Sequence, residues 1–442
     1  MNVSGLSFNA LPSIDIPFRY FLTAPVFVII CALFLMFNGE LVWQTRWHPF
    51  TIMLTHGFTL GFIAMVMMGA ILQMLPVLTG VGVKHVNIIG KVCHLLLTVG
   101  TALLMFGFAH PKPLYKTLAL LLLSICFIVY IFSVGRVLVS KLSQGDTIIG
   151  MRFALIALLV TVVLGISLYL RLIGINLLPS GTQYTNLHLY WGLGWISLLV
   201  ISVSFQVIPM FHVAPSFPKL LTKLLPAFLF ISLTLLLLAK VSEPLLPSFV
   251  INISTLLSVF VLLLHGIFAV FMLQTLNQRK RKVPDTTINF WQLCAIGMFV
   301  LLGSIFFPSD LMPAEIQLKL EMFQGATFIY FFAMSVILGM LLKIIPFLSY
   351  THLQQQCMTN FSAMAYLPNM HDFINKKQGN TLFLMHIATG VSLMISIAAP
   401  RYHMSFSVLL MIEFLWLLYL MVKSCRTYHS TAKLMQSLPA QP

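Results

Sequence analysis

From Thr51 to Leu75 the chain is apolar apart from threonine, glycine, His56 and Gln73. A run of about 20 such residues is what a helix needs to cross the hydrocarbon core of a bilayer. A soluble helix would show a polar face, and a barrel strand would alternate polar and apolar residues, but this run does neither. Counting apolar runs bounded by Pro, Gly or charge predicts twelve spans: 20–43, 51–75, 86–109, 114–139, 150–172, 187–211, 220–240, 249–275, 287–307, 320–345, 381–399 and 404–422. The chain therefore reads as an all-α polytopic membrane protein. The longest connection, 347–380, holds Gln354-Gln355-Gln356 and His371 and reads as a flexible segment on the inner side.

The second span has a plan that returns. His56, Gly61 and Gly69 precede Gln73-Met74-Leu75-Pro76; His188 and Gly194 precede Gln206-Val207-Ile208-Pro209; Gly339 precedes Lys343-Ile344-Ile345-Pro346. A polar Gln or Lys stands three residues before each proline, and each helix is expected to end there. Glycine recurs fifteen residues before it in the first two copies and seven before it in the first and third. The third copy has Gln324 and Gly325 where the others place histidine. Spans two, six and ten carrying one plan divide the chain into repeats at about 1–143, 144–283 and 284–442, three groups of four helices.

A chain of 442 residues with 59% hydrophobic and 8% charged side chains and a mean hydropathy of +0.98 has the lipid bilayer as its main partner. The net charge of +15 is not a nucleic-acid signal, because the Lys and Arg residues sit in loops, where they set orientation. With the N-terminus inside, eighteen of the 25 Lys and Arg residues fall on the inner side, among them Lys141 and the run Arg279–Lys282. That asymmetry places both termini on the inner, cytoplasmic side. Six cysteines occur singly, with no C-x-x-C pair, and imply neither disulfide nor thiolate metal site. Residues 1–18 lack the basic stretch that opens a signal peptide, so the first span is expected to stay.

Given that orientation, His56 and His188 lie at matched depth in the outer half. A lone intramembrane histidine is most simply a packing residue bonded to a carbonyl. Two at the same place in a repeat point instead to a ligand pair for haem iron or copper. His94 and His386 also correspond, nearer the inner face; they are candidates for a second cofactor, with a hydrogen-bonded core role as the simpler reading. His48, His110 and His403, at outer span ends, are candidates for a metal ring. His265 reads as structural, and His85, His371 and His429 as solvated. Glu413, in mid-span, must pair or relay protons. Trp43, Trp47, Trp191 and Trp195 read as an interfacial belt.

His56 followed by Gly61-Phe62, Gly69 and Pro76-x-x-Thr79-Gly80 resembles the second-span motif of the NnrS family, bacterial membrane proteins of twelve helices that contain haem and copper and are linked to nitric-oxide stress. The span around His188, ending near His212, resembles that family's second histidine-bearing helix. Both resemble the wider haem–copper oxidase subunit I superfamily, whose fold implies three four-helix arcs. An oxidase of that kind has a His-His pair on span seven and His-x-His on span ten; Leu220–Lys240 and Leu320–Ile345 contain no histidine. The resemblance thus implies a haem protein of the bacterial inner membrane, with haem b and copper as its cofactors, that lacks the binuclear centre and its oxygen or nitric-oxide reduction. A respiratory electron donor or a small gas ligand is the partner it implies. A transporter or metal handler on the same fold without haem is the alternative reading, and a structural partner of a respiratory complex a third.

Overall fold

The computed structural model describes residues 11–110, 112–140, 142–175, 182–242, 247–307, 312–359 and 361–438; Lys141, one of the inner-side charges, lies outside them. Twelve helices among these are long and apolar enough to cross a membrane, and no strand accompanies them. They are α1 (Asp15–Val42), α2 (Pro49–Thr79), α3 (Val86–Ala109), α4 (Pro113–Leu138), α5 (Asp146–Arg171), α6 (Gln183–His212), α7 (Lys219–Val241), α8 (Ile253–Asn277), α9 (Thr286–Phe306), α10 (Ala314–Met358), α11 (Lys376–Ala398) and α12 (Pro400–Gln436). The protein is multi-pass and all-α. Each predicted span overlaps one of these helices.

Helix starts follow local chemistry. Pro49 occupies the first turn of α2, and His48 Nδ1 accepts the Phe50 N–H at 3.2 Å. Asp285 accepts from Thr287 N–H ahead of α9, and Asn375 with Gln378 forms a capping box at α11. The prolines do not end their helices. α2 and α6 run one turn past Pro76 and Pro209, and α10 continues well beyond Pro346. A buried proline is tolerated where neighbouring helices satisfy the backbone it frees. Gly80 (φ 71°) and Val213 (φ 52°) then stop α2 and α6 in the left-handed conformation.

The described part of segment 347–380 is largely helical. α10 takes it to Met358, a 3-10 turn covers Phe361–Tyr366, and a short helix Met370–Phe373 follows. Phe373 and Ile374 are buried, and the Phe373 carbonyl accepts from Ser424 Oγ at 3.3 Å, so apolar anchors hold this connection to α12.

Burial separates three helices from the rest. The most apolar window is 78% buried in α2, 72% in α6 and 78% in α10, against 28–50% in the other nine. These three face an apolar cavity of about 100 Å³, lined by Ala70, Val203, Met340 and their neighbours, with Met151 of α5 and Trp291 of α9. α1 packs along α12, closing the outer helices on themselves. Large apolar side chains point outward, Phe37, Phe132, Leu220 and Leu384 among them, as lipid contact requires.

Residues 57–64 of α2 and 327–334 of α10 are π-helical, each 270 positions from its counterpart. The packing repeats at the same interval. Gly69 abuts Tyr20 of α1, while Gly339 abuts Phe290 of α9; Gly61 abuts Phe27, while Phe331 abuts Gly297. In the last pair the large and small partners have changed sides, and the helices still meet closely. These glycines serve contact between helices. A Cβ at Gly61 would lie 2.5 Å from Phe27 and one at Gly69 2.6 Å from Tyr20, so neighbouring rings fill the space both glycines leave.

Candidate functional site

His56 ends the first two turns of α2, immediately before the π segment. Thr55 and Thr59 donate their hydroxyls to carbonyls four residues back, at 2.8 and 2.7 Å, a side-chain competition that loosens helical turns. The His56 ring faces its own helix through Nδ1, which donates to the Ile52 carbonyl at 2.8 Å. His188, on α6, donates Nδ1–H to the Thr161 carbonyl of α5 at 3.0 Å. Gly165 makes room for it: a Cβ there would stand 2.9 Å from His188 Cε1.

The two rings come together. Their centroids are 6.3 Å apart with planes 20° from parallel, and Phe108 of α3 stacks on His56 at 5.6 Å. A carbonyl only accepts, so each Nδ1 carries the proton and each neutral ring keeps its Nε2 lone pair. No hydrogen bond among the described residues engages either Nε2. This is the usual arrangement of a metal-binding histidine, whose second nitrogen is held by a carbonyl or carboxylate. The chemistry of the donor set suits haem iron, which His56 and His188 would hold through Nε2.

Glu413 pairs with His386. The carboxylate Oε1 lies 2.7 Å from His386 Nδ1, and both side chains are completely buried. Tyr330 of α10 reaches Glu413 Oε2 at 2.7 Å and the His386 carbonyl at 3.0 Å, and its ring stacks on the imidazole at 4.3 Å. Ser335 Oγ lies 2.8 Å from His386 Nε2. Tyr330 and Ser335 are not singled out by the sequence, although for Tyr330 a polar hydroxyl in so apolar a span is a signal. His94 makes a simpler arrangement, with Thr23 Oγ1 at 2.8 Å from Nε2 and Tyr20 at 5.1 Å. His94 and His386 thus have separate partners and do not meet as a pair of ligands.

Other sites fall out differently from the sequence reading. Among the described residues no three of His, Cys, Asp and Glu cluster. His48 caps α2, His110 packs on Phe106, and His403 donates to the Pro400 carbonyl against Gly39, so no outer ring forms. Trp191 and Trp195 are buried in the bundle rather than at an interface, where α6 packs on its neighbours. Cys93 and Cys126 are neighbours across α3 and α4, each thiol donating to the other's carbonyl at 3.8 and 3.3 Å. The residues before the prolines diverge: Gln73 is buried, Gln206 exposed, and Lys343 bonds Asp285 at 2.5 Å. Burial pushes the Asp285 carboxyl up, but the Lys343 bond and charge outweigh it and hold it below its ordinary value. His265 donates to the Val261 carbonyl and meets Ser197 at 2.8 Å, a satisfied core histidine. α7 carries no histidine, and the one on α10, His352, lies beyond Pro346.

No protein-family model matches this chain, and no curated protein matches it.

Proposed function

We propose that this is a haem-binding protein of the bacterial inner membrane, with both termini cytoplasmic and the oxidase subunit I-like plan of three four-helix arcs. It serves nitric-oxide or respiratory-stress handling or electron transfer, and is not a binuclear-centre reductase. The observation that carries this reading is the His56–His188 pair, two neutral rings on the most buried helices with both Nδ1 atoms held and both Nε2 atoms free. A haem b bound there would supply reversible one-electron chemistry. His56 and His188 would hold its iron, the Ile52 and Thr161 carbonyls would fix the ring orientations, and Phe108 would cover one side. A respiratory electron donor or a small gas is the partner. Copper is the weaker assignment, since a closed tetrahedral or trigonal centre needs more donors than two imidazoles.

The test is an optical spectrum of detergent-purified protein before and after dithionite. Sharp alpha bands in the reduced form support haem b. Their absence favours the second reading, a transporter or metal handler without haem, for which the fully buried Glu413–His386 pair is the favouring observation. The purified protein should neither consume oxygen nor reduce nitric oxide at oxidase-like rates, because α7 offers no histidine for such a centre.

A further inference from the structure

The network around Glu413 is built so that each hydroxyl has two possible partners. Tyr330 OH lies 2.7 Å from Glu413 Oε2 and 3.0 Å from the His386 carbonyl. Ser335 Oγ lies 2.8 Å from His386 Nε2 and 3.2 Å from the Tyr330 carbonyl. The π segment makes this possible. Residues 330 and 335 would stand roughly 140° apart around an α-helix, but a π turn closes bonds between residues five apart and stacks them. The Ser335 N–H takes that π bond to the Tyr330 carbonyl, and both side chains then meet the same imidazole.

We propose that Glu413, His386, Tyr330 and Ser335 form a proton-binding site inside the membrane. Without the added proton, His386 is neutral and Glu413 ionised. Nδ1–H and Tyr330 O–H donate to the two carboxylate oxygens, and Ser335 O–H donates to Nε2. With the proton on Nε2, Ser335 turns its O–H to the Tyr330 carbonyl and accepts from Nε2–H. The charge of the site goes from −1 to zero, no heavy atom moves, and every donor stays bonded. The Nδ1 proton can then cross the 2.7 Å bond to Oε1, leaving neutral histidine and neutral acid with the atom count unchanged. A net charge is costly in this surrounding, so the uncharged form is the one the network is built to hold.

The groups facing it leave no other counter-charge. α9 presents Phe290 to the imidazole at 5.5 Å, α11 contributes Thr389 one turn on, and Phe62 of α2 packs on Phe414 beside Glu413. Among the described residues His386 is the ion-pair partner of Glu413, and no Lys or Arg joins them. His265 provides the contrast within the same molecule: a hydroxyl on Nε2 and a carbonyl on Nδ1, but no carboxylate to balance a second proton.

The proposal is independent of haem at His56 and His188. Its test is nitrogen NMR of histidine-labelled protein in lipid, with infrared spectra of the same samples to read carboxyl protonation; signals are assigned by their loss in His386→Gln and Glu413→Gln. At pH 7 the wild type should show either a His386 imidazolium or a protonated Glu413, while His265 stays neutral. Ser335→Ala, close to isosteric, should release the proton about one pH unit lower than wild type, because it strips a charge-assisted bond from Nε2–H. Glu413→Gln should leave His386 as a plain neutral imidazole. A neutral imidazole beside an ionised carboxylate in the wild type at pH 7 would overturn the proposal. Equal proton retention in wild type and Ser335→Ala at every pH would do the same, since a merely structural network predicts no shift.

Discussion

At Glu413 the cost of burial can be followed side chain by side chain. Glutamine there keeps every bond, its oxygen accepting from His386 Nδ1–H and its amide donating to Tyr330, whose hydroxyl turns to the His386 carbonyl. Glu413→Gln should therefore accumulate in the membrane at wild-type levels. Glu413→Lys should not, because it sets an ammonium against an imidazole with no anion, and removal of a buried partner costs about 3–5 kcal/mol. Membrane-fraction yields of the two variants decide it; normal yield of the lysine variant would mean that the position meets water. Asp285 gives a pH prediction. Its folded value is depressed, so the bond to Lys343 stabilises the protein above the unfolded carboxylate value and is lost as pH falls through the folded one. Between about pH 6 and about pH 3 the thermal midpoint should fall further in wild type than in Asp285→Asn; parallel curves would remove Asp285 from the account. Sequence pointed to His56, His188, His386 and Glu413 because an ionisable group in a long apolar run stands out. Ser335 was not legible, since a serine in such a run most often bonds its own helix and only a partner on another helix gives it a role.

Among elements, spans were readable from composition alone, whereas the π turns were not. Residues 57–64 and 327–334 contain no proline or charge to mark them, and a widened turn depends on what the neighbouring helix offers. The glycine pattern was visible in the sequence, but what each glycine packs against was not. Gly61, Gly69 and Gly339 admit aromatic rings from α1 and α9, and Gly194 admits Leu233 of α7, facts that need the partner helices in place. Gly339→Val should destabilise by about 1–3 kcal/mol through overpacking on Phe290, whereas Gly192→Ala, whose nearest contact is an ordinary 3.4 Å, should be mild. Thermal midpoints in detergent compare them, and equal midpoints would refute the packing argument. Deleting one residue from 57–64 should return the segment to α-helix and turn His56 by about 100° against the lower half of α2. Loss of haem binding with retained insertion is the expected result, and unchanged occupancy would show that the π turn does not position His56.

For the whole molecule, the twelve helices and the deep burial of α2, α6 and α10 give the charge count something to orient. Reporter fusions after Lys282 and Lys377 should read as cytoplasmic and one after Arg401 as periplasmic. An external Arg279–Lys282 run would invert the depth of every histidine. The proposed convergence of His56 and His188 on one haem iron is tested most directly by haem occupancy and reduced spectrum of His56→Ala and His188→Ala beside His94→Ala. Either of the first two should leave an inserted protein whose haem is lost or converted from low spin to high spin, while His94→Ala keeps the wild-type bands. Wild-type bands and occupancy in both His56→Ala and His188→Ala would contradict the account.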